Sequence, residues 1–339
     1  MNLPVPSAVP LPALPAAGWA ALFGNSVLRS LLPGGARSPA IMIYHRVRPA
    51  HDPLFPDELD RDDFARQIAL LASCCQVMPL LDAVRHMRAG TLPPRVACIT
   101  FDDGYADNAE IALPVLQHYG VPATFFVASG FLNGGRMWND SVIELVRRVP
   151  GEVLDASALG LGVHALASPQ QRTQAIHLLI RQLKYLPMAQ RQQQVDSLAA
   201  LARVALPDDL MMSDAQVRQL HRAGMAIGAH TVRHPILSAL DLAEARSEIA
   251  AGKQALEQLI AAPVPLFAYP NGRPGVDYRP EHVALVRELQ FEAAVSTSLG
   301  AAGARPDLYQ LPRFTPWDRR HWRFALRMAA NLTRPAQLA

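Results

Sequence analysis

Apolar residues along this chain follow two alternating rhythms. Short uninterrupted runs at 40–44, 96–101, 123–128, 225–229, 265–269 and 293–296 read as buried strands. Between them the apolar positions take helical spacing. In 62–71, Phe64, Ile68 and Leu71 share one face; 80–87 is closed by Gly90, and 111–119 by Gly120. Ser213 reads as the N-cap of a helix to Ala223 with Gly224 as its stop, and 242–260 and 282–289 complete the set. The segment 311–314 reads as the last strand. Strands alternating with helices predict parallel βαβ units, so the fold class is α/β. The polar residues of these runs collect where strands end, the edge that carries the active site in a (β/α) barrel.

Two stretches break the rhythm. Residues 1–17 are rich in Pro and Ala, and Trp19, Leu22, Phe23, Val27 and Leu31 then recur at helical spacing. Residues 138–212 are rich in Leu, Ala and Gln, with helical periods and no clear strand, and read as a mostly helical insertion. The expected organisation is therefore a tail with an amphipathic helix (1–38), a main domain (39–320, with the insertion at about 138–212) and a basic C-terminal helix or tail (321–339).

Composition narrows the function classes. Half of the 339 residues are hydrophobic and 18% are charged, enough for a sizeable core and unlike a disordered chain. Lys plus Arg is 32 against Asp plus Glu 29, too even for a nucleic-acid footprint. A local exception is Arg319, Arg320, Arg323 and Arg327 around Trp322. That cluster reads as a solvated helix face, or alternatively as a surface for an acidic glycan or a membrane. Three cysteines give no disulfide framework and fit a reducing compartment. The opening residues lack the features of a secretory signal, and no apolar run is long enough to span a bilayer. The expectation is a cytoplasmic protein, with contact at the inner membrane surface left open.

The candidate chemistry lies in two segments. Thr100-Phe101-Asp102-Asp103-Gly104-Tyr105 follows one strand, and His230-Thr231-Val232-Arg233-His234-Pro235 follows another. Two histidines at i and i+4 share a face if the segment turns helically, and can then hold one cation. A carboxylate completes a three-ligand set with positions open to water. Adjacent carboxylates point in different directions after a strand, so one can bind metal while the other moves a proton. Either segment alone is a weak signal, since Asp-Asp-Gly is a common turn; together, each after a strand, they are strong.

On these motifs the chain resembles the polysaccharide deacetylase family with the NodB-homology domain, carbohydrate esterase family 4, over roughly 41–314 apart from the insertion. The resemblance implies a distorted (β/α) barrel and removal of N-acetyl groups from a poly- or oligosaccharide, with acetate released. It implies Asp102 as catalytic base and Asp103, His230 and His234 as ligands of a divalent metal, zinc first, with cobalt, nickel or manganese as alternatives. The family's third motif, Arg-x-Pro-Tyr-Gly, reads here Ala268-Tyr269-Pro270-Asn271-Gly272. Ala268 replaces the Arg that steadies the base, and Arg313 in Leu311-Pro312-Arg313-Phe314 is the candidate substitute. The oxyanion donor of the family maps to the backbone N–H of Asn271. The usual late motif with an acid histidine is absent. A circularly permuted subgroup acting on poly-N-acetylglucosamine carries that histidine on an early strand, and Ile43-Tyr44-His45 is similar to it, which makes His45 the candidate acid and exopolysaccharide modification the expected role.

Tyr105, Tyr269 and Trp317 are candidate substrate contacts, with Trp138 a further aromatic able to stack on sugar. His51, His86, His118, His164, His177, His221, His282 and His321 read as surface or structural. Two rival readings stay open: a non-haem iron oxygenase, which also uses two histidines and a carboxylate, and a non-catalytic glycan-binding relative. The expected partner is an N-acetylated glycan, without nucleic acid or a transmembrane segment.

Overall fold

A computed structural model of the chain describes Leu11, residues 38–303 and residues 305–339. The stripe from Trp19 to Leu31 lies outside the described residues. In chain order the strands are β1 (Ala40–Tyr44), β2 (Gln76–Val77), β3 (Val96–Phe101), β4 (Thr124–Val127), β5 (Val153–Asp155), β6 (Val163–Ala165), β7 (Ala226–Ala229), β8 (Leu266–Ala268) and β9 (Ala293–Val295). Seven of them form one parallel sheet in the order β1-β3-β4-β7-β8-β9, with β2 paired to the start of β3.

Strands β1, β3, β4, β8 and β9 are buried at every position. Burial on both faces is what an uninterrupted apolar run allows, and it suits a parallel sheet covered by helices. Alternation along each strand divides the core in two. Met42, Tyr44, Ile99, Phe101, Phe125 and Ile227 face one cluster, and Ile41, Cys98, Phe126, Leu266 and Val295 face the other. In the first cluster the Tyr44, Phe101 and Phe125 rings stack in sequence, with centroids 5.3 and 4.7 Å apart. Gly228 pairs with Phe126 across the sheet, where a Cβ would lie 2.3 Å from the Phe126 ring, so the close strand approach requires glycine.

The segment 311–314 closes the sheet. Leu311 N–H donates to Ala294 O and its carbonyl accepts from Ser296 N–H, both at 2.9 Å. Phe314 N–H donates to Ile41 O at 2.7 Å, and the Phe314 carbonyl accepts from Ile43 N–H at 3.0 Å. One end therefore bridges β9 and the other β1, giving the distorted barrel. The expected strand here is instead a pair of single bridges. Pro312 has no N–H to donate, and the segment changes neighbour within four residues.

Helices cover the sheet where the sequence signals place them. Helix α1 (Arg61–Cys74) is capped by Asp60, whose carboxylate accepts from the N–H groups of Asp62 and Asp63. Helix α2 (Leu80–Ala89) ends at Gly90 in the left-handed region, φ 69°. A π-helical turn at Asn108–Ala112 precedes α3 (Leu113–His118).

The insertion contributes α4 (Trp138–Arg148), α5 (Pro169–Leu183) and α6 (Met188–Ala202). Val142, Leu145, Ile176, Leu179 and Leu198 form a cluster separate from the barrel's, joined by Leu54. Contrary to the strand-free reading, β5 and β6 form an antiparallel hairpin within it. Each has three residues, with only Leu154 and His164 buried, too short to show a period. Helix α7 (Asp214–Arg222) carries the full capping box of Ser213 with Gln216, and α8 (Leu242–Ile260) and α9 (Pro280–Glu288) follow.

Helix α10 (His321–Asn331) buries Phe324 and Met328 and exposes Trp322 and Leu326. Its basic neighbourhood is largely paired: Arg319 with Asp63 at 3.1 Å, and Arg323 and Arg327 with Asp318 at 3.7 and 2.6 Å. Among the described residues no helix is long and apolar enough to cross a membrane.

Candidate active site

Parallel pairing puts the C-terminal ends of all barrel strands at one edge. His45 follows β1, Asp102 and Asp103 follow β3, His230 follows β7, Asn271 lies three residues past β8, and Ser296 follows β9. At the end of β3 the chain turns sharply, with Asp103 at φ 76° and Gly104 at φ 91°. The turn sends the two neighbouring carboxylates to different partners.

Asp103 goes to the histidines. Its Oδ1 lies 3.4 Å from Nε2 of His230 and 3.4 Å from Nε2 of His234. These three donor atoms all fall within 4.8 Å of one another. Asp103 Oδ1 is buried and has no hydrogen-bond partner. Donors bound tetrahedrally at about 2.0–2.2 Å from zinc stand roughly 3.4 Å apart, so the set fits one divalent cation. The tautomer fits too. His230 Nδ1–H donates to the Ala268 carbonyl at 2.8 Å, which turns Nε2 toward Asp103 and leaves it as the nitrogen available to a cation. Burial pushes the His234 pKa down to about 4, keeping that imidazole neutral. Burial opposes ionisation of Asp103, yet the two histidines hold its carboxyl below the usual range.

The histidines do not sit on a helical turn, as their spacing led us to expect. The segment is a loop, with Thr231 at φ 64° and His234 at φ 52°. Two left-handed residues fold the backbone back, bringing the ring centroids to 4.7 Å. Thr231 Oγ1 donates to His230 O at 2.5 Å and accepts from His234 N–H at 3.1 Å. On α8, the buried Glu248 carboxylate accepts from the N–H groups of Val232 (3.1 Å) and Arg233 (2.9 Å) and from Arg233 Nε (2.6 Å). One turn along, Gly252 lies against Thr231, where a Cβ would come within 2.7 Å of the Thr231 carbonyl carbon.

Asp102 goes to Arg313. The guanidinium binds both carboxylate oxygens at 2.6 Å. Arg313 is 1% exposed and is itself tied to Ser296 O (2.9 Å) and Thr100 Oγ1 (3.2 Å). Burial raises the Asp102 pKa, but Arg313 and then His230 outweigh it and hold the group ionised. Arg313 thus lies where the absent third-motif arginine would be needed, and Ala268 contributes its carbonyl to His230.

His45 is exposed. It lies outside the three-donor group. With Asp103, Tyr105 and Trp317 it lines a cleft of about 560 Å³. The backbone around it is pinned by residues just past the Asp-Asp turn. Asn108 Nδ2 donates to His45 O at 2.9 Å, and Asp107 accepts from Arg46 Nε at 2.7 Å and Val47 N–H at 3.2 Å.

The expected substrate contacts divide. Trp317 is 60% exposed in the cleft. Tyr105 lines the cleft but is almost buried, its hydroxyl on Asp140 and its ring 4.5 Å from the Arg46 guanidinium. Tyr269 does not reach the cleft. It is fully buried, stacked on Tyr278 at 3.9 Å, with its hydroxyl on Tyr309 O. Strand alternation from Phe267 carries it to the helix-facing cluster. Trp138 packs within the insertion under Arg191. Asn271 is in the left-handed region at φ 58°, and its carbonyl accepts from Thr297 Oγ1.

Sequence reasoning passed over Asp107, Asn108, Asp140 and Glu248, and it read His177, which lines the cleft, as surface or structural. For Asp107 and Asn108 a signal existed, since they follow the Asp-Asp turn within one helical turn. Glu248 and Asp140 lie on distant helices and have none.

The family model for polysaccharide deacetylase matches this chain over residues 89–174 and 187–294. A Bacillus subtilis (strain 168) protein named for the same family, YxkH, is 21% identical over 215 residues, covering 63% of this chain and 49% of that one. The match thus spans about half the length of that relative. Among solved structures, IcaB from Ammonifex degensii is similar at a TM-score of 0.56 and 18% identity, over 87% of this chain and 97% of that one. The deacetylase PplD of Streptococcus pyogenes, solved in complex with acetate, gives 0.54 and 18%, over 82% and 92%. The BpsB deacetylase domain from Bordetella bronchiseptica gives 0.50 and 16%, over 83% and 96%. At these identities the likeness establishes a shared fold.

Proposed function

Because the chain belongs to the polysaccharide deacetylase family, we propose that it is a metal-dependent hydrolase that removes N-acetyl groups from amino sugars of a poly- or oligosaccharide, with exopolysaccharide modification as its role. The observation that carries this reading is the division of labour at the end of β3. Asp103 offers an unpartnered oxygen to two imidazole nitrogens, while Asp102 is held apart, ionised, by Arg313.

Asp103, His230 and His234 would hold the cation, zinc by its donor set, with cobalt, nickel or manganese as alternatives. When bound, such a cation polarises the acetyl carbonyl and lowers the pKa of water at the site. Asp102 accepts the proton of the attacking water. Arg313 occupies two of the roughly four lone-pair positions of that carboxylate, leaving acceptor capacity for the proton. The Asn271 N–H donates no hydrogen bond among the described residues and is the donor for the developing oxyanion. His45, outside the donor set and on the cleft side, gives its proton to the departing amine. Trp317 offers an aromatic face to the sugar.

The test is acetate release from N-acetylated glucosamine oligosaccharides by the full chain loaded with zinc, cobalt, nickel or manganese. We expect acetate and primary amine in equal amounts, and no release after chelation. No acetate with any of these metals would reject the reading in favour of glycan binding alone.

A further inference from the structure

The cleft wall that faces Asp103 across Tyr105 comes from the insertion, at the first turn of α4. There Asp140 is 3% exposed and lines the cleft together with Asn139, His45 and Trp317. Its hydrogen bonds among the described residues come from the Tyr105 hydroxyl, 3.2 Å from Oδ1 and 3.1 Å from Oδ2. One hydroxyl has one proton, so this is a single forked bond to a group with about four acceptor positions. No described cation lies within ion-pair distance of Asp140. Arg46 is committed to Asp107 and stacks on the Tyr105 ring, and Arg136 binds Ser141 and the Pro207 carbonyl. Burial, helped by the charge of Asp103 and opposed by Arg46, pushes the Asp140 carboxyl up to about 7. By contrast, the buried Asp102 is paired with Arg313 and the buried Asp107 with Arg46. Near neutral pH the Asp140 carboxyl therefore stands between its neutral and ionised forms, and its unmet acceptors together with a cation in the cleft would hold it ionised.

We propose that Asp140 is the anionic wall of a subsite for a free ammonium, that of an already deacetylated amino sugar beside the residue presented to Asp102 and Asp103. The inference rests on reading the cleft as a glycan site. A sugar hydroxyl would satisfy the acceptors, whereas an ammonium would satisfy them and also favour the ionised carboxylate. The proposed reaction itself produces this group, so a chain that has lost one acetyl carries the ligand next to the following target. The helix that carries the subsite packs its apolar face into the insertion's own core, apart from the barrel's.

The experiment compares the full zinc-loaded chain with Asp140→Asn at neutral pH. Calorimetry measures binding of the fully deacetylated glucosamine trisaccharide, which has no acetyl group to lose. Acetate release measures KM for the N-acetylated trisaccharide. Asn keeps the acceptor for Tyr105 and so the local fold. We expect affinity for the cationic trisaccharide to fall about tenfold or more, as for loss of a charge-assisted hydrogen bond, against a much smaller rise in KM for the neutral one. Asp140→Glu, which keeps the charge, should restore part of the cationic affinity. Equal losses for both sugars, an unchanged cationic affinity, or no binding of the cationic trisaccharide by the wild type would each overturn the proposal. A wild type that binds the cationic sugar through Asp140 but releases no acetate would uphold the subsite and reject the deacetylase reading instead.

Discussion

The two walls of the cleft are built differently. On the barrel side, Asp102, Asp103, His230 and Arg313 are 2%, 7%, 1% and 1% exposed, and Asp102, His230 and Arg313 are each held by hydrogen bonds to further residues. On the open side, His45 is exposed and Trp317 is 60% exposed. In the buried wall a side chain's chemistry cannot be separated from its part in holding the fold, because removing one ion leaves another in low dielectric. In the open wall the two separate, and substitutions there read out chemistry or binding alone.

The sharpest test of that contrast is Arg313→Met. It leaves Asp102 buried without its counter-ion, a change that costs on the order of 3–5 kcal/mol. We expect a large drop in the urea midpoint together with loss of activity. Asp102→Asn should lower turnover by roughly 10²–10⁴ through loss of the base. It should also destabilise the protein, since Arg313 then has no anion; from the motif alone it would be expected to be structurally silent. The double variant Asp102→Asn/Arg313→Met should be more stable than the sum of the singles predicts, because no lone ion remains. Strict additivity of the two would contradict the pairing seen here.

His234→Ala stands between the walls. Its side chain is 17% exposed, and the loop around it is held by Thr231 and Glu248 rather than by the imidazole. Zinc content should fall to near zero with a melting change of only a few degrees beyond the loss of ligand stabilisation. Unfolding of the variant would mean that the cation, not Glu248, organises the loop. His45→Ala, on the open side, should cut turnover on the order of 10²-fold with metal content and urea midpoint unchanged. Retained turnover would move the acid role elsewhere.

The same contrast explains what could be read from the sequence. Strands β1 and β3 have the bounds their runs suggest, because burial on both faces leaves no charged residue to blur them, and helix α8 has the bounds of its helical period, opened by the Asp241 cap. Arg313 was legible through a gap: Ala268 could not supply a cation, and a strand-end arginine could. The pair His230 and His234 was found for the wrong geometric reason, since two positive-φ residues, not a helix, bring the rings together. Tyr269 was misplaced because its motif touches the site through the chain, while alternation sends its ring to the core. The β5–β6 hairpin, Glu248 and Asp140 left no local trace; each acquires its role only when distant elements meet.

The smallest expected effect is at Trp317. Its indole is mostly in water at the rim of the cleft, and its described partner is the Arg327 guanidinium, 5.4 Å from the ring. Arg327 is held independently by Asp318 at 2.6 Å, so the rim does not need the indole to keep its shape. Trp317→Ala should therefore leave the unfolding free energy from urea titration within about 0.5 kcal/mol of wild type, as for surface changes away from structural features. If the indole stacks on a sugar, losing that face should raise KM several-fold, in line with roughly 0.5–1.5 kcal/mol for an aromatic contact, with kcat nearly unchanged. Trp317→Phe should recover most of the affinity, because a smaller ring still offers a face. A loss in kcat instead of KM would place Trp317 in the chemistry and erase the distinction between the two walls at this position.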